Sequence, residues 1–205
     1  DLLDEVLAAP QAGVLVTRGQ GKFYSNGLDL AWLMANGEQM GSYVGRVHAL
    51  FARVLALPVP TVAAVTGHAF GAGAMLAMAH DYRVMRTDRG FFCFPEVDIH
   101  IPFTPGMAAL IQAKLTPAAA VRSMMSGRRF GGDSALAIGL VDAIAPDIES
   151  TVMVARELVA PLAGKDRTTL GAIKSTMYGP ALAALSHADA IGGSGLAGSA
   201  GGVGS

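Results

Sequence analysis

The chain has 205 residues, enough for one large domain or a domain with an appendage. Its 15 basic and 16 acidic residues give a net charge of −1 with no long basic run, which argues against nucleic-acid and membrane-surface binding. Apolar residues make up 52% and mean hydropathy is +0.44, so a sizeable core is expected, with some apolar surface buried between subunits; no apolar run reaches the length of a membrane span, and a single cysteine, Cys93, excludes an internal disulfide framework and fits a reducing compartment.

The opening, Asp1-Leu-Leu-Asp-Glu-Val-Leu7, reads as the latter part of an amphipathic helix over 1–8. With no initiator Met, signal or transit sequence, an N-terminal fragment is expected ahead of it. Residues 13–17 read as a buried strand, 18–22 as a turn and 23–30 as a glycine-containing loop. Apolar residues from Met40 to Leu55 recur at helical spacing, predicting an amphipathic helix over 38–57 that Pro58 and Pro60 end. Thr61–Val65 is a β-branched run. Gly67, Gly71 and Gly73 follow, then a buried helix over 74–79 closed by Asp81. Strands are expected at 82–85 and 91–94, with a turn at 88–90. This alternation indicates an α/β fold. From residue 105 the pattern reads as helix only, with helices over 107–115, 117–127 (N-cap Thr116), 134–138 (capped by Asp133), 148–162 and 167–189, and one short extended piece at 140–144. The chain thus divides into a core over 1–104, a helical region over 105–190 and a flexible Gly/Ser tail over 191–205.

Several standard sites are absent. There is no GxSxG elbow, no P-loop, and Leu76 stands where a dinucleotide fingerprint needs its third glycine. The five histidines show no metal spacing. The stretch from Pro60 to Met75 instead has the form strand, glycine turn, helix N-terminus, which aims free backbone N–H groups at one point. A second source of backbone donors is Asn26-Gly27, a tight-turn pair, although an ordinary loop explains it equally. The chemistry must then come from a side chain elsewhere. Glu96 is flanked by Phe91, Phe92 and Phe94 upstream and by Ile101 and Phe103 downstream; a carboxylate desolvated this way is a stronger base near neutral pH. Asp98 would share its face in an extended segment and competes for the role, and a solvent-facing strand-end Glu is the plain alternative.

Together these elements resemble the enoyl-CoA hydratase/isomerase family, which has the crotonase fold. Phe23-Tyr-Ser-Asn-Gly-Leu-Asp-Leu30 is similar to the family's first oxyanion-hole segment. Pro60 to Gly73, with Ala-Ala-Val-Thr-Gly-His-Ala-Phe-Gly-Ala-Gly at its centre, is similar to the second. Phe94-Pro-Glu-Val-Asp98 resembles the segment carrying a catalytic glutamate, and Ala137-Ile-Gly-Leu-Val-Asp142 a downstream signature. The resemblance covers roughly 1–185 and is nearest to the plant peroxisomal Δ3,Δ2-enoyl-CoA isomerases, whose pattern Thr66-Gly-His-Ala69, His80-Asp-Tyr82 and Arg86-Thr-Asp-Arg-Gly90 share.

The resemblance implies an α/β spiral of ββα units with a C-terminal helical region, and an isomerase that moves a double bond from C3 to C2 of a fatty acyl-CoA. It implies that the N–H groups of Asn26 and Ala72 hold the thioester oxygen, each donor worth about 2.7–4 kcal/mol of barrier. Glu96 is implied as the proton shuttle, with Met75, Phe94, Ile101 and Phe103 lining the acyl pocket. Hydratases of the family carry a second glutamate where this chain has Met75, so a single glutamate favours isomerisation. A hydratase or other acyl-CoA lyase, and a silent acyl-CoA-binding or assembly subunit, are the alternatives. A homotrimer or hexamer is expected, with no metal or redox cofactor because coenzyme A belongs to the substrate. Localisation is peroxisomal by resemblance, although the chain ends Val203-Gly-Ser205 without a Ser-Lys-Leu-type address, and cytoplasmic otherwise.

Overall fold

The computed structural model describes residues 1–9 and 13–187. The expected tail over 191–205 lies outside the described residues. The chain begins with α1 (Leu2–Ala8), closed at its start by a reciprocal capping box between Asp1 and Asp4. It then runs through β1 (Leu15–Arg18), β2 (Phe23–Ser25), α2 (Leu30–Ala35), a 3₁₀ turn and α3 (Met40–Leu55). A second turn of the same pattern comes next: β3 (Thr61–Val65), β4 (His68–Phe70) and α4 (Ala72–Ala79). A third is β5 (Tyr82–Arg86), β6 (Phe92–Cys93) and α5 (Pro105–Lys114). Each turn is strand, strand, helix. The first strands build a parallel sheet in the order β1-β3-β5, and the second strands build another in the order β2-β4-β6.

After α6 (Pro117–Met124) and α7 (Gly132–Ala137) comes β7 (Ala143–Ala145), which pairs in parallel with β5 and extends the first sheet to four strands. The short extended piece expected at 140–144 is thus a strand of this sheet, lying at 143–145. Helices α8 (Ile148–Val159), α9 (Arg167–Met177) and α10 (Gly179–Ser186) complete the described chain.

The first sheet is covered on both faces, which is why β3 is buried at every residue and reads as an unbroken apolar run. Val62, Ala64 and Val84 face α8 through Ala155 and Val159. Ala63, Val65 and Met85 face the main core with α3, α4, α5 and α10. That core crosses residue 105 freely: Met107, Leu110 and Leu185 belong to it with Met75 and Phe51. Helix α4 is apolar on all sides and sits at its centre.

Several expectations need correction. The short strands β2 and β4 lie inside stretches that read as a loop and a glycine turn, and α2 begins within that same loop, capped by Asp29 accepting from the Trp32 N–H. Helix α4 starts two residues earlier than expected and ends at His80, leaving Asp81 to accept from the N–H and hydroxyl of Thr61 and from Lys174 Nζ at 2.6 Å. Gly131, not Asp133, occupies the N-cap of α7. The helix expected over 167–189 breaks at Tyr178, because Pro180 has no N–H to continue the ladder and a new helix starts there.

Candidate active site

Two backbone segments meet at the C-terminal ends of β2 and β4. Gly71 leaves β4 at φ +51° and is the N-cap of α4; its N–H donates to Cys93 O at 3.0 Å. Ala72 is the first helical residue, so its N–H has no acceptor within the helix and lies at the positive end of the helix dipole. The loop after β2 packs directly on this point. A Cβ built on Gly27 would stand 2.8 Å from Phe70 O and 3.2 Å from Ala72 N, and one on Gly73 would stand 2.3 Å from Ser25 O. Only glycine permits this approach, and Gly27 also sits at φ +88°. The structure thus brings Asn26-Gly27 beside the Ala72 amide, as the ordinary-loop alternative for 23–30 would not require.

Glu96 reaches the same point from β6. Its Oε1 is 3.4 Å from where a Cβ on Gly71 would be. The residue is 8% exposed, and its Oε2 is buried with no hydrogen-bond partner among the described residues. Burial raises its pKa from 4.5 to about 7, opposed only by its own backbone N–H. The apolar setting is built by Phe94, which stands edge-on to Phe92 and Phe103 with centroids 5.7 and 6.2 Å apart. Phe94 and Met75 are both 1% exposed and closed into the core, whereas Ile101 and Phe103 are half-buried.

Asp98 does not share this position. Residues 95–101 are not extended but fold into one helical turn, with Asp98 N and Ile99 N donating to Pro95 O and Ile101 N donating to Glu96 O. Two residues along such a turn point to different sides. Asp98 is exposed and its carboxylate lies over Gly127, where a Cβ would come within 2.1 Å of Oδ2. The turn closes at His100 in the left-handed region, φ +57°, a conformation glycine usually supplies. Sequence reading missed this turn because its glycine signal is replaced by histidine. It also missed the wall that Gly71 forms against Glu96, which no local pattern encodes.

Residues 1–191 match the family model described as enoyl-CoA hydratase/isomerase. The chain belongs to the enoyl-CoA hydratase/isomerase family. It is similar to enoyl-CoA delta isomerase 3 of Arabidopsis thaliana, 40% identical over 170 residues that span 78% of this chain and 71% of that protein. It is likewise similar to the peroxisomal enoyl-CoA delta isomerase 2 of the same plant, 40% identical over 75% of this chain and 68% of the relative. Among solved structures, an enoyl-CoA hydratase of Mycobacterium ulcerans superposes with a TM-score of 0.76 at 29% identity, over 84% of this chain and 75% of the other. The family's crotonase-like fold is this double spiral of parallel strands. Within the family, relatives named isomerase and relatives named hydratase both resemble this chain, so the chemistry must be argued from the site.

Proposed function

We propose that the protein is a Δ3,Δ2-enoyl-CoA isomerase acting on fatty enoyl thioesters. The observation that carries this reading is a single desolvated carboxylate, Glu96, opposite a backbone-donor site whose neighbouring helix offers Met75 instead of a second acid. Hydration needs one group to activate water and another to protonate carbon. Moving a double bond needs one group that gives back the proton it takes.

The thioester oxygen accepts from the N–H groups of Asn26 and Ala72. Glu96 removes a proton from C2, and the electron pair of that C–H bond passes to the oxygen, giving a dienolate stabilised by both donors. The same carboxyl then protonates C4. The C3–C4 double bond is lost, a C2–C3 double bond forms, and Glu96 returns to its starting state. A pKa of about 7 suits both halves of this cycle near neutral pH. Ile101 and Phe103 form the apolar wall that accepts the acyl chain, and Phe94 and Met75, closed into the core that Phe103 packs against, back that wall and help keep water from the dienolate. Coenzyme A enters as part of the substrate, and the shuttle is complete without a metal or redox cofactor.

Two further expectations belong to this reading. A homotrimer or hexamer is supported by apolar side chains on the outer helices, including Val121, Met125, Ile173 and Met177, each more than half exposed in one chain. Peroxisomal residence is supported by the peroxisomal relative; no helix among the described residues is long and apolar enough to cross a membrane. The test of function is to give the purified protein 3-enoyl-CoA and 2-enoyl-CoA separately. Formation of the conjugated 2-enoyl thioester from the first, with little 3-hydroxy product from the second, supports isomerisation. Efficient hydration of the second contradicts it, and binding without turnover points to a silent subunit.

A further inference from the structure

Behind the donor site runs a line of three polar side chains that the mechanism does not use, His80 fully buried and Thr17 and Tyr24 half-buried. Thr17 Oγ1 on β1 lies 2.8 Å from the hydroxyl of Tyr24 on β2 and 2.9 Å from Nε2 of His80, and His80 Nδ1 lies 2.8 Å from Leu76 O on α4. The direction of each bond is determined by chemistry. A carbonyl can only accept, so His80 carries its proton on Nδ1 and presents a bare Nε2. Burial keeps the imidazole neutral, lowering its pKa to about 4. Thr17 must therefore donate to His80, which leaves its oxygen to accept from Tyr24. Burial also raises the Tyr24 pKa, so that donor stays protonated.

The line joins the two elements that carry the donors. Tyr24 stands two residues before Asn26 on a strand of only three residues. The ladder of that strand with β4 slips register between Phe23 and Ser25, so backbone pairing alone holds Tyr24 and the loop after it loosely. Leu76 stands one helical turn beyond Ala72. From this geometry we infer that Thr17 is a positioning residue: by clamping Tyr24 to the helix through His80, it fixes the spacing between the N–H groups of Asn26 and Ala72. The inference rests on the proposed function in that those two amides hold the thioester oxygen.

The test compares Thr17→Val, which removes the hydroxyl and keeps the shape, with Thr17→Ser, which restores it, and with Tyr24→Phe. Misplacing one donor predicts a kcat lower by roughly tenfold to a hundredfold in Thr17→Val with KM changed about twofold or less, because ground-state binding depends less on the spacing. Thr17→Ser recovers wild-type kcat within about threefold, and Tyr24→Phe falls between. A second readout is independent of turnover: a 3-ketoacyl-CoA ligand, whose bound enolate is tracked by its ultraviolet absorbance. Thr17→Val binds this thioester with a smaller enolate fraction, whereas a merely structural role would lower the melting temperature and leave the fraction unchanged. Wild-type kcat and enolate fraction in Thr17→Val, or no recovery in Thr17→Ser, overturn the inference. A wild type without isomerase turnover that still stabilises the enolate refutes the proposed function and leaves the enolate comparison to decide Thr17; a wild type that does neither overturns both.

Discussion

Gly27 packs against the backbone of Ala72 so closely that a single added carbon on Gly27 would lie 3.2 Å from the Ala72 nitrogen and 2.8 Å from Phe70 O. The two donor segments are thus held together by the absence of a side chain. Gly27→Ala must push them apart and also strain a residue at φ +88°. The expected result is a kcat loss of about a hundredfold, with a smaller change in KM. Steady-state kinetics with 3-enoyl-CoA checks it.

The raised pKa of Glu96 predicts the pH dependence of activity. The base form is needed to begin the cycle, so kcat/KM should climb with unit slope up to pH about 7 and level off above it. A profile flat from pH 5 to 8 would mean that another group takes the proton.

The same shift has a consequence for stability. Glu96 titrates at about 7 when folded against 4.5 when free, so between those values the folded state binds more protons than the unfolded one, and stability falls as pH rises through that window. Above pH 7 the accumulated cost is about 3 kcal/mol. Glu96→Gln removes it. That variant should be more stable than wild type at pH 8 by up to about 3 kcal/mol, with little difference at pH 4. Denaturant melts at the two pH values measure this directly.

Strain at the turn behind Glu96 can be tested separately. His100 holds φ +57°, which costs an L-residue about 1–2 kcal/mol, part of which glycine gives back through its freer unfolded chain. His100→Gly should therefore stabilise the protein by about 0.5–1 kcal/mol. A loss of stability would show that the imidazole itself contributes more than the strain it brings.

Lys174 is almost wholly buried, and its ammonium donates to Asp81 at 2.6 Å and to Val59 O at 2.8 Å. Asp81→Asn would leave that buried ammonium without its counter-charge. It should destabilise the fold by about 3 kcal/mol, read as a shift in the denaturation midpoint.

How far the sequence could be read depended on the range of each interaction. β3 and α4 were legible because complete burial leaves an unbroken apolar signature. Thr116 illustrates another local signal, since it caps a helix that begins with proline. Glu96 stood out through its phenylalanine neighbours, and the carboxylate is in fact desolvated. The illegible part is non-local. β4 is three residues between two glycines, and it becomes a strand only because β2 and β6 flank it. Asp98 competed with Glu96 until the turn over 95–101 separated them, and that turn hides its left-handed residue under a histidine. The line through Thr17, Tyr24 and His80 spans 63 residues of chain, and His80 in isolation reads as an ordinary core residue.

Everything proposed for the site depends on Glu96 being the one group that carries the proton. Turnover of 3-enoyl-CoA by wild type and Glu96→Gln, measured side by side on folded protein at pH 8, tests this. The predicted result is a kcat at least about a thousandfold lower in the variant, with thioester binding retained, since the amide keeps the shape and loses the base. Comparable rates in the two proteins would contradict it.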